Sequence, residues 1–362
     1  MEKTDFLKRI QMETGTQGAN NMPPVGYDIL CRDMRLRISP DDEDIVEETI
    51  SSNIQDMLNV QLPTPYEDVF QYYILKKNLD NLLEVRKHIF KSDSFFNRQI
   101  DAPVIGSANI GAINAYANVK YNTIIVCRSL PHFFLSMSSL IIPLIVDDNG
   151  MIRPFELTVE VLKTKIVSNK YLLKNYLDLL CCYVLFGEVS YHEPYNSKNT
   201  KYYIFADQVA NNCIKFVVAH ELTHILLQHE GSKKSNEYEA DYYGSYMCMC
   251  ASMKDSFLKE HPMYMPLAIA IAMKSMDVLQ KVDIQFKGCE SISHPNDRIG
   301  ILVETLTDMK AVSRQKEIVR GVHSILTLLS YTVDRPLEGM IEANKRGLIH
   351  SIDDVRKYIS YL

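Results

Sequence analysis

The chain has 362 residues, 46% of them apolar and 23% charged, with a formal net charge of −6. That is the make-up of a globular protein long enough for a substantial core and two or three structural units. The acidic balance excludes a general phosphate-gathering surface, so no nucleic-acid or membrane partner is expected, and a protein or small-molecule partner is.

The first residues, "MEKTDFLKRIQMETG", have no apolar segment of the secretory type, and cytoplasmic residence is the expectation. Residues 1–95 read as a largely polar helical region, supporting or regulatory, with a loop through "TGTQGANNMPPVGYD". Ser39-Pro40 opens a helix there, with serine as cap, proline at the first position, and Asp41 to Asp44 beside the positive end of the helix dipole. This makes the acidic run helix-start chemistry rather than a metal site. Thr64-Pro65 opens a second, long helix through "YEDVFQYYILKKNLDNLLEVRKHIF".

The texture changes near residue 100. "APVIGSANIGAINAYA" and "NTIIVCR" combine β-branched and small residues around the polar turn "NVKYN", which predicts strands. Helical patterns return in "TVEVLKTKIVSNKYLLKNYLDLLCCYVLFG", in the run around His220, and in "MPLAIAIAMKSMDVLQ", "RIGILVETL" and "EIVRGVHSILTLLSYTV". The most apolar windows, "FFLSMSSLIIPLIV" and "MPLAIAIAM", fall short of the roughly 20 residues of a membrane-spanning helix. The eight cysteines form no CxxC pair and read as reduced core thiols. Cys248 and Cys250, two apart on a helix, face different ways and do not make a second metal site.

The chemistry concentrates in "FVVAHELTHILLQHEGSKKSNEYEADYYG", residues 216–244. On a helix His220 and His224 share a face, with Glu221 one step round. Two imidazoles at this spacing hold a metal, and the glutamate activates water. Phe216, Val217, Val218, Ala219, Leu222 and Ile225 make the helix apolar on nearly every side, hence buried. The alternative, two core histidines and a lysine-paired Glu221, requires a separate buried partner for each polar group. The helix ends at "EGSKK", and "SNEYEAD" starts another. Glu237 and Asp241 share a face there, while Asn236 and Glu239 have the form of a capping box. Glu237 is therefore favoured as third ligand over Glu239, and Asp241 as the acceptor that orients a ligand histidine. Tyr242 and Tyr243, just beyond, are candidates to line a cleft. No GxxxxGK[ST] loop or GxSxG elbow is present.

"HELTHILLQH" followed by "EYEAD" resembles the HExxH…ExxxD signature of gluzincin proteases that include the CAAX prenyl proteases and HtpX. His229 matches a histidine common there. "NAYANVKYNTIIVCRSL" resembles their edge-strand segment and "SHPNDRI" their later HP…R segment. The layout is most similar to the soluble Lit-type phage-exclusion peptidases, over roughly residues 100–310. Two departures stand out. The membrane helices of the CAAX proteases and HtpX are missing, and His294 lies closer to Arg298 than is usual, which leaves the role of Arg298 open.

The resemblance implies an α+β, mostly helical fold with a zincin-like core at 96–310. A small edge-strand sheet would pack on the HExxH helix, with helical additions at 1–95 and 311–362. It implies one zinc ion held by His220, His224 and Glu237, with Glu221 as general base and later proton donor. Asn114, Ala115, Tyr116 and Ala117 would bind an extended substrate by β-augmentation, or form an ordinary edge strand. His294 would stabilise the oxyanion, or pack beside Pro295 at a helix start. His229 reads as structural rather than as a fourth ligand. The expected activity is zinc-dependent cleavage of an intracellular protein. By analogy with the Lit type this would serve defence against phage, under a regulatory or phage-derived activator. A housekeeping regulatory protease, or a zinc-containing sensor or binding module without turnover, are the alternatives.

Overall fold

Apolar helical runs interrupted by one short β-branched stretch produce an α+β fold that is mostly helical. The computed structural model describes residues 2–16, 56–57, 59–89, 101–110, 115–146, 152, 159–189, 200–231, 233–287 and 298–361. The helix start at Ser39-Pro40, Asn114 and His294 lie outside these residues, as do Cys31 and Cys289. The elements in order are α1 (Lys3–Glu13), α2 (Val69–Ile89), β1 (Val104–Ala108), β2 (Ala115–Asn118), β3 (Thr123–Cys127), α3 (Leu130–Ile145), α4 (Val159–Val167), α5 (Lys170–Phe186), α6 (Thr200–Leu226), α7 (Lys234–Ser252), α8 (Ser256–Glu260), α9 (Tyr264–Lys287), α10 (Arg298–Asp308), α11 (Ser313–Lys345) and α12 (Ile352–Ser360).

The central element is α6, which is 27 residues long and carries the HExxH sequence in its last two turns. Its last three turns are apolar on nearly every side, and from Phe205 on it is largely buried, against α2, α3, α7, α9 and β2. The sheet has the order β1-β3-β2, with β1 parallel and β2 antiparallel to β3. All five residues of β3 are buried, as befits a continuous apolar run covered on both faces. Ile125 points toward α1, where it meets Phe6, Leu7 and Ala108, while Ile124 and Val126 alternate into the main core. The "NVKYN" turn forms as expected: Asn118 Oδ1 accepts from the Tyr121 N–H at 3.1 Å, and Asn122 takes the left-handed φ of 47°.

Two helix boundaries, the start of α2 and the end of α6, differ from the sequence expectation. Helix α2 starts at Val69, because Asp68, not Thr64, caps it by accepting from the Gln71 N–H at 2.8 Å. Thr64 is drawn away to donate to Gln11 Oε1 at 2.6 Å. Between Val159 and Phe186 the helical pattern forms two helices, since Asn169 leaves helical geometry and caps α5 through the Leu172 N–H. Helix α6 ends at Leu226, not at "EGSKK". There Gln228 adopts φ 57°, with bonds from its N–H to Ile225 O (3.3 Å) and from the His229 N–H to His224 O (3.0 Å). These two bonds are the Schellman ending that usually takes glycine, which is why a glutamine gave no stop signal.

Among the described residues no helix is long and apolar enough to cross a membrane. Cys127, Cys181, Cys182, Cys213 and Cys248 are buried free thiols, and Cys250 is half-buried.

A buried polar knot fastens α1 to the sheet. Glu67 accepts from the Ser107 N–H at 3.0 Å, from Ser107 Oγ at 2.8 Å and from Gln11 Nε2 at 2.6 Å. A Cβ at Gly106 would lie 2.3 Å from Glu67 Oε1 and 2.5 Å from Leu7 Cδ2, so any larger residue there must displace these two side-chain ends. Burial pushes the Glu67 carboxyl up to about 7, against these hydrogen bonds, from an ordinary 4.5. The folded protein thus holds this proton more tightly than the unfolded chain. The associated stability, at most about 3 kcal/mol, is complete below the unfolded value and is lost as pH rises through the folded one. Urea midpoints are expected to fall between about pH 5 and about pH 8, and to fall less steeply for Glu67→Gln.

Candidate metal centre

Helices α6 and α7 form an antiparallel hairpin whose contact is set by Gly244. A Cβ at 244 would come within 3.1 Å of His220 N and 3.2 Å of its Cα, both backbone atoms with little freedom to yield. This close crossing lets side chains of α7 reach the histidines of α6.

Three of them converge. His220 Nε2 and His224 Nε2 are 3.2 Å apart. Glu237 Oε2 lies 3.4 Å from the first, and Glu237 Oε1 lies 3.7 Å from the second. Ligand atoms about 2.0–2.1 Å from a tetrahedral ion sit about 3.3 Å from one another, so the observed spacing fits a divalent cation. The group His220, His224, Glu237 can hold a metal.

The unused nitrogens are also engaged. His220 Nδ1 lies 2.9 Å from Asp241 Oδ1, which leaves its Nε2 to face the cluster. Asp241 is fully buried and is gripped by Arg298, whose Nε donates to Oδ2 at 2.7 Å and whose Nη2 donates to Oδ1. Arg298, the first residue of α10, is itself buried, and the charge of Asp277 on α9 further favours its cationic form. His224 Nδ1 lies 2.8 Å from His229 Nδ1, and His229 Nε2 lies 2.9 Å from Glu239 Oε2.

The electrostatics follow from burial and pairing. Burial opposes a charge on His220, but the hydrogen bonds to Asp241 and Glu237 and the charge of Asp241 outweigh it and raise the imidazole to about 10. Burial first, then the charge of His220, lowers His224 to about 3. Glu221 is pushed up to about 7 mainly by burial; the charge of His220 and the backbone N–H of Ala117 act the other way. Asp241 is buried too, yet Arg298 and His220 hold it below the usual carboxylate range.

The remaining expected residues are placed as follows. Ala115, Tyr116 and Ala117 lie in β2, at the edge of the sheet. Ala115 and Ala117 face the main core, while Tyr116 packs toward α1. The backbone of Ala117 lies near Glu221, where it favours the ionised carboxyl. Glu239 does not close a capping box. Helix α7 begins at Lys234, which puts Asn236 inside its first turn and frees Glu239 for His229. Tyr242 donates to Asp308 at 2.7 Å and so points at α10. The parts of Arg298, His229, Glu239 and Gly244 were not read from the sequence. The only signals were His229, at a spacing common in the family, and an HP…R segment in which Arg298 lies closer to His294 than is usual.

Residues 186–317 match the model of the family Peptidase U49. The match supports a peptidase, and its span runs from the end of α5 into α11, enclosing every residue of the cluster. No curated protein and no solved structure gives a significant match to the chain.

Two substitutions test the scaffold. Gly244→Ala must push α7 off α6 and is expected to cost about 1–3 kcal/mol in urea unfolding, with Gly244→Val costing more. Arg298→Leu strands a buried Asp241, and a loss of about 3–5 kcal/mol is expected by the same measurement.

Proposed function

We propose that this chain is a zinc-dependent endopeptidase of the gluzincin type, cleaving an intracellular protein. The reading rests on one observation. Two imidazole nitrogens and a Glu237 carboxylate sit at tetrahedral ligand spacing beside a second buried carboxylate, Glu221, which is not one of the three ligands. Two nitrogen donors and one oxygen donor suit zinc. Bound there, zinc would supply Lewis acidity toward a peptide carbonyl and acidify a coordinated water.

The chain's own groups account for the rest. Glu221 takes a proton from the attacking water and later delivers it to the leaving amine. Asp241, held by Arg298, keeps His220 in the tautomer that presents Nε2 to the ion. Strand β2, at the edge of the sheet, receives substrate backbone as an added strand through Ala115, Tyr116 and Ala117, with Asn114 next to them in sequence. His294 stabilises the oxyanion, as the resemblance to the family implies. By the same resemblance, the role proposed is a cytoplasmic one in defence against phage, under a regulatory or phage-derived activator.

The test compares metal content and cleavage in wild type and Glu221→Gln. Both proteins are expected to bind one zinc per chain, with proteolysis at least about 100-fold lower in the variant. Terminal-peptide proteomics in cells expressing each would name the substrate. Zinc in both with cleavage by neither would leave a metal-containing binding module instead.

A further inference from the structure

We infer that His229 and Glu239 are positioning residues for His224: a hydrogen-bond chain that holds its Nε2 on the metal. The inference rests on the reading of His220, His224 and Glu237 as ligands.

The chain is built by the backbone ending of α6. The left-handed turn at Gln228 folds the peptide back, so that the His229 N–H reaches His224 O and the two rings meet with centroids 5.0 Å apart. Their Nδ1 atoms are 2.8 Å apart, which requires one N–H and one lone pair. His224 must keep the Nε2 lone pair for the metal, so its proton sits on Nδ1 and is donated to His229. His229 then carries its own proton on Nε2, where Glu239 Oε2 stands 2.9 Å away. An ionised carboxylate only accepts, and this fixes the direction of both bonds. A single set of tautomers satisfies all three groups.

Burial gives the chain its rigidity. The His229 side chain is 7% exposed, whereas Glu239 is 48% exposed and anchors the chain from the rim. The arrangement parallels the one on the other ligand, where Asp241 and Arg298 orient His220. Each metal histidine is thereby locked through its Nδ1 by a different segment, His220 from within the core and His224 from the surface. Without Glu239, His229 is free to take the opposite tautomer. Its Nδ1–H would then confront the Nδ1–H of His224 and turn that ring off the ion.

Two measurements test this on the full chain. Long-range ¹H–¹⁵N spectra of histidine-labelled, zinc-loaded wild type are expected to show His224 protonated at Nδ1 and His229 at Nε2. Zinc affinity by chelator competition is expected to fall about 10–100-fold in His229→Ala and in Glu239→Ala, and to stay within about threefold in Glu239→Gln, which keeps an acceptor. Thermal melting of the metal-free proteins is expected to be the same for wild type and the half-exposed Glu239 variants, which separates positioning from folding. If His224→Ala abolishes zinc binding while His229→Ala and Glu239→Ala retain wild-type affinity, the positioning role is overturned and the metal reading stands. The opposite tautomer at His229 would overturn it as well. A wild type that binds no zinc would overturn the metal reading and, with it, this one.

Discussion

Two imidazoles and a carboxylate on a helix surrounded by hydrocarbon must each find a partner, because an unpaired polar or charged group in such a place costs several kcal/mol. That requirement organises the elements around α6. Helix α7 brings Glu237 to both ligand nitrogens and Asp241 to the back of His220. Helix α10 brings Arg298 to neutralise Asp241. The turn after α6 brings His229 to the back of His224, and β2 places the backbone of Ala117 near Glu221, where it favours the carboxylate's charge. Four different parts of the chain thus answer the polar groups of two helical turns.

The geometry that makes this reachable comes from two backbone features. Gly244 lets α7 approach until its neighbour is the main chain of His220, which brings the carboxylates of α7 within contact of the rings on α6. The Schellman ending at Gln228 reverses the chain within two residues and so returns His229 to the turn it has just left. A glutamine in left-handed conformation carries a modest steric cost. The structure accepts that cost at the point where the chain turns back toward His224.

Behind the centre, the sheet is held in place from its far face. Helix α1 covers Ile125 and Ala108, and Glu67 joins α1, the approach to α2 and β1 in one buried knot. Tyr116 of β2 packs on the α1 side while Ala115 and Ala117 face the core. Strand β2 is therefore packed on both faces.

Local periodicity carried much of the reading. The sharing of a face by His220 and His224, and by Glu237 and Asp241, is a property of any helix and follows from spacing alone, as does the burial of an all-apolar run. The turn between β2 and β3 was legible for the same reason, since Asn118 acts on a residue three positions on. The reading failed where a local rule met a distant competitor. Thr64 had the form of a cap but is claimed by Gln11, so Asp68 caps α2 in its place. Glu239 had the form of a capping-box partner but is claimed by His229 across the hairpin turn. By itself, then, the sequence determined a buried helix bearing a metal-type triad and the face from which its third ligand would come, because those depend on contacts within a few residues. Only the tertiary structure decided what Arg298, His229, Glu239 and Gly244 do, because their roles exist through the close crossing of α6 and α7 and the arrival of α10, distances that no spacing along the chain encodes.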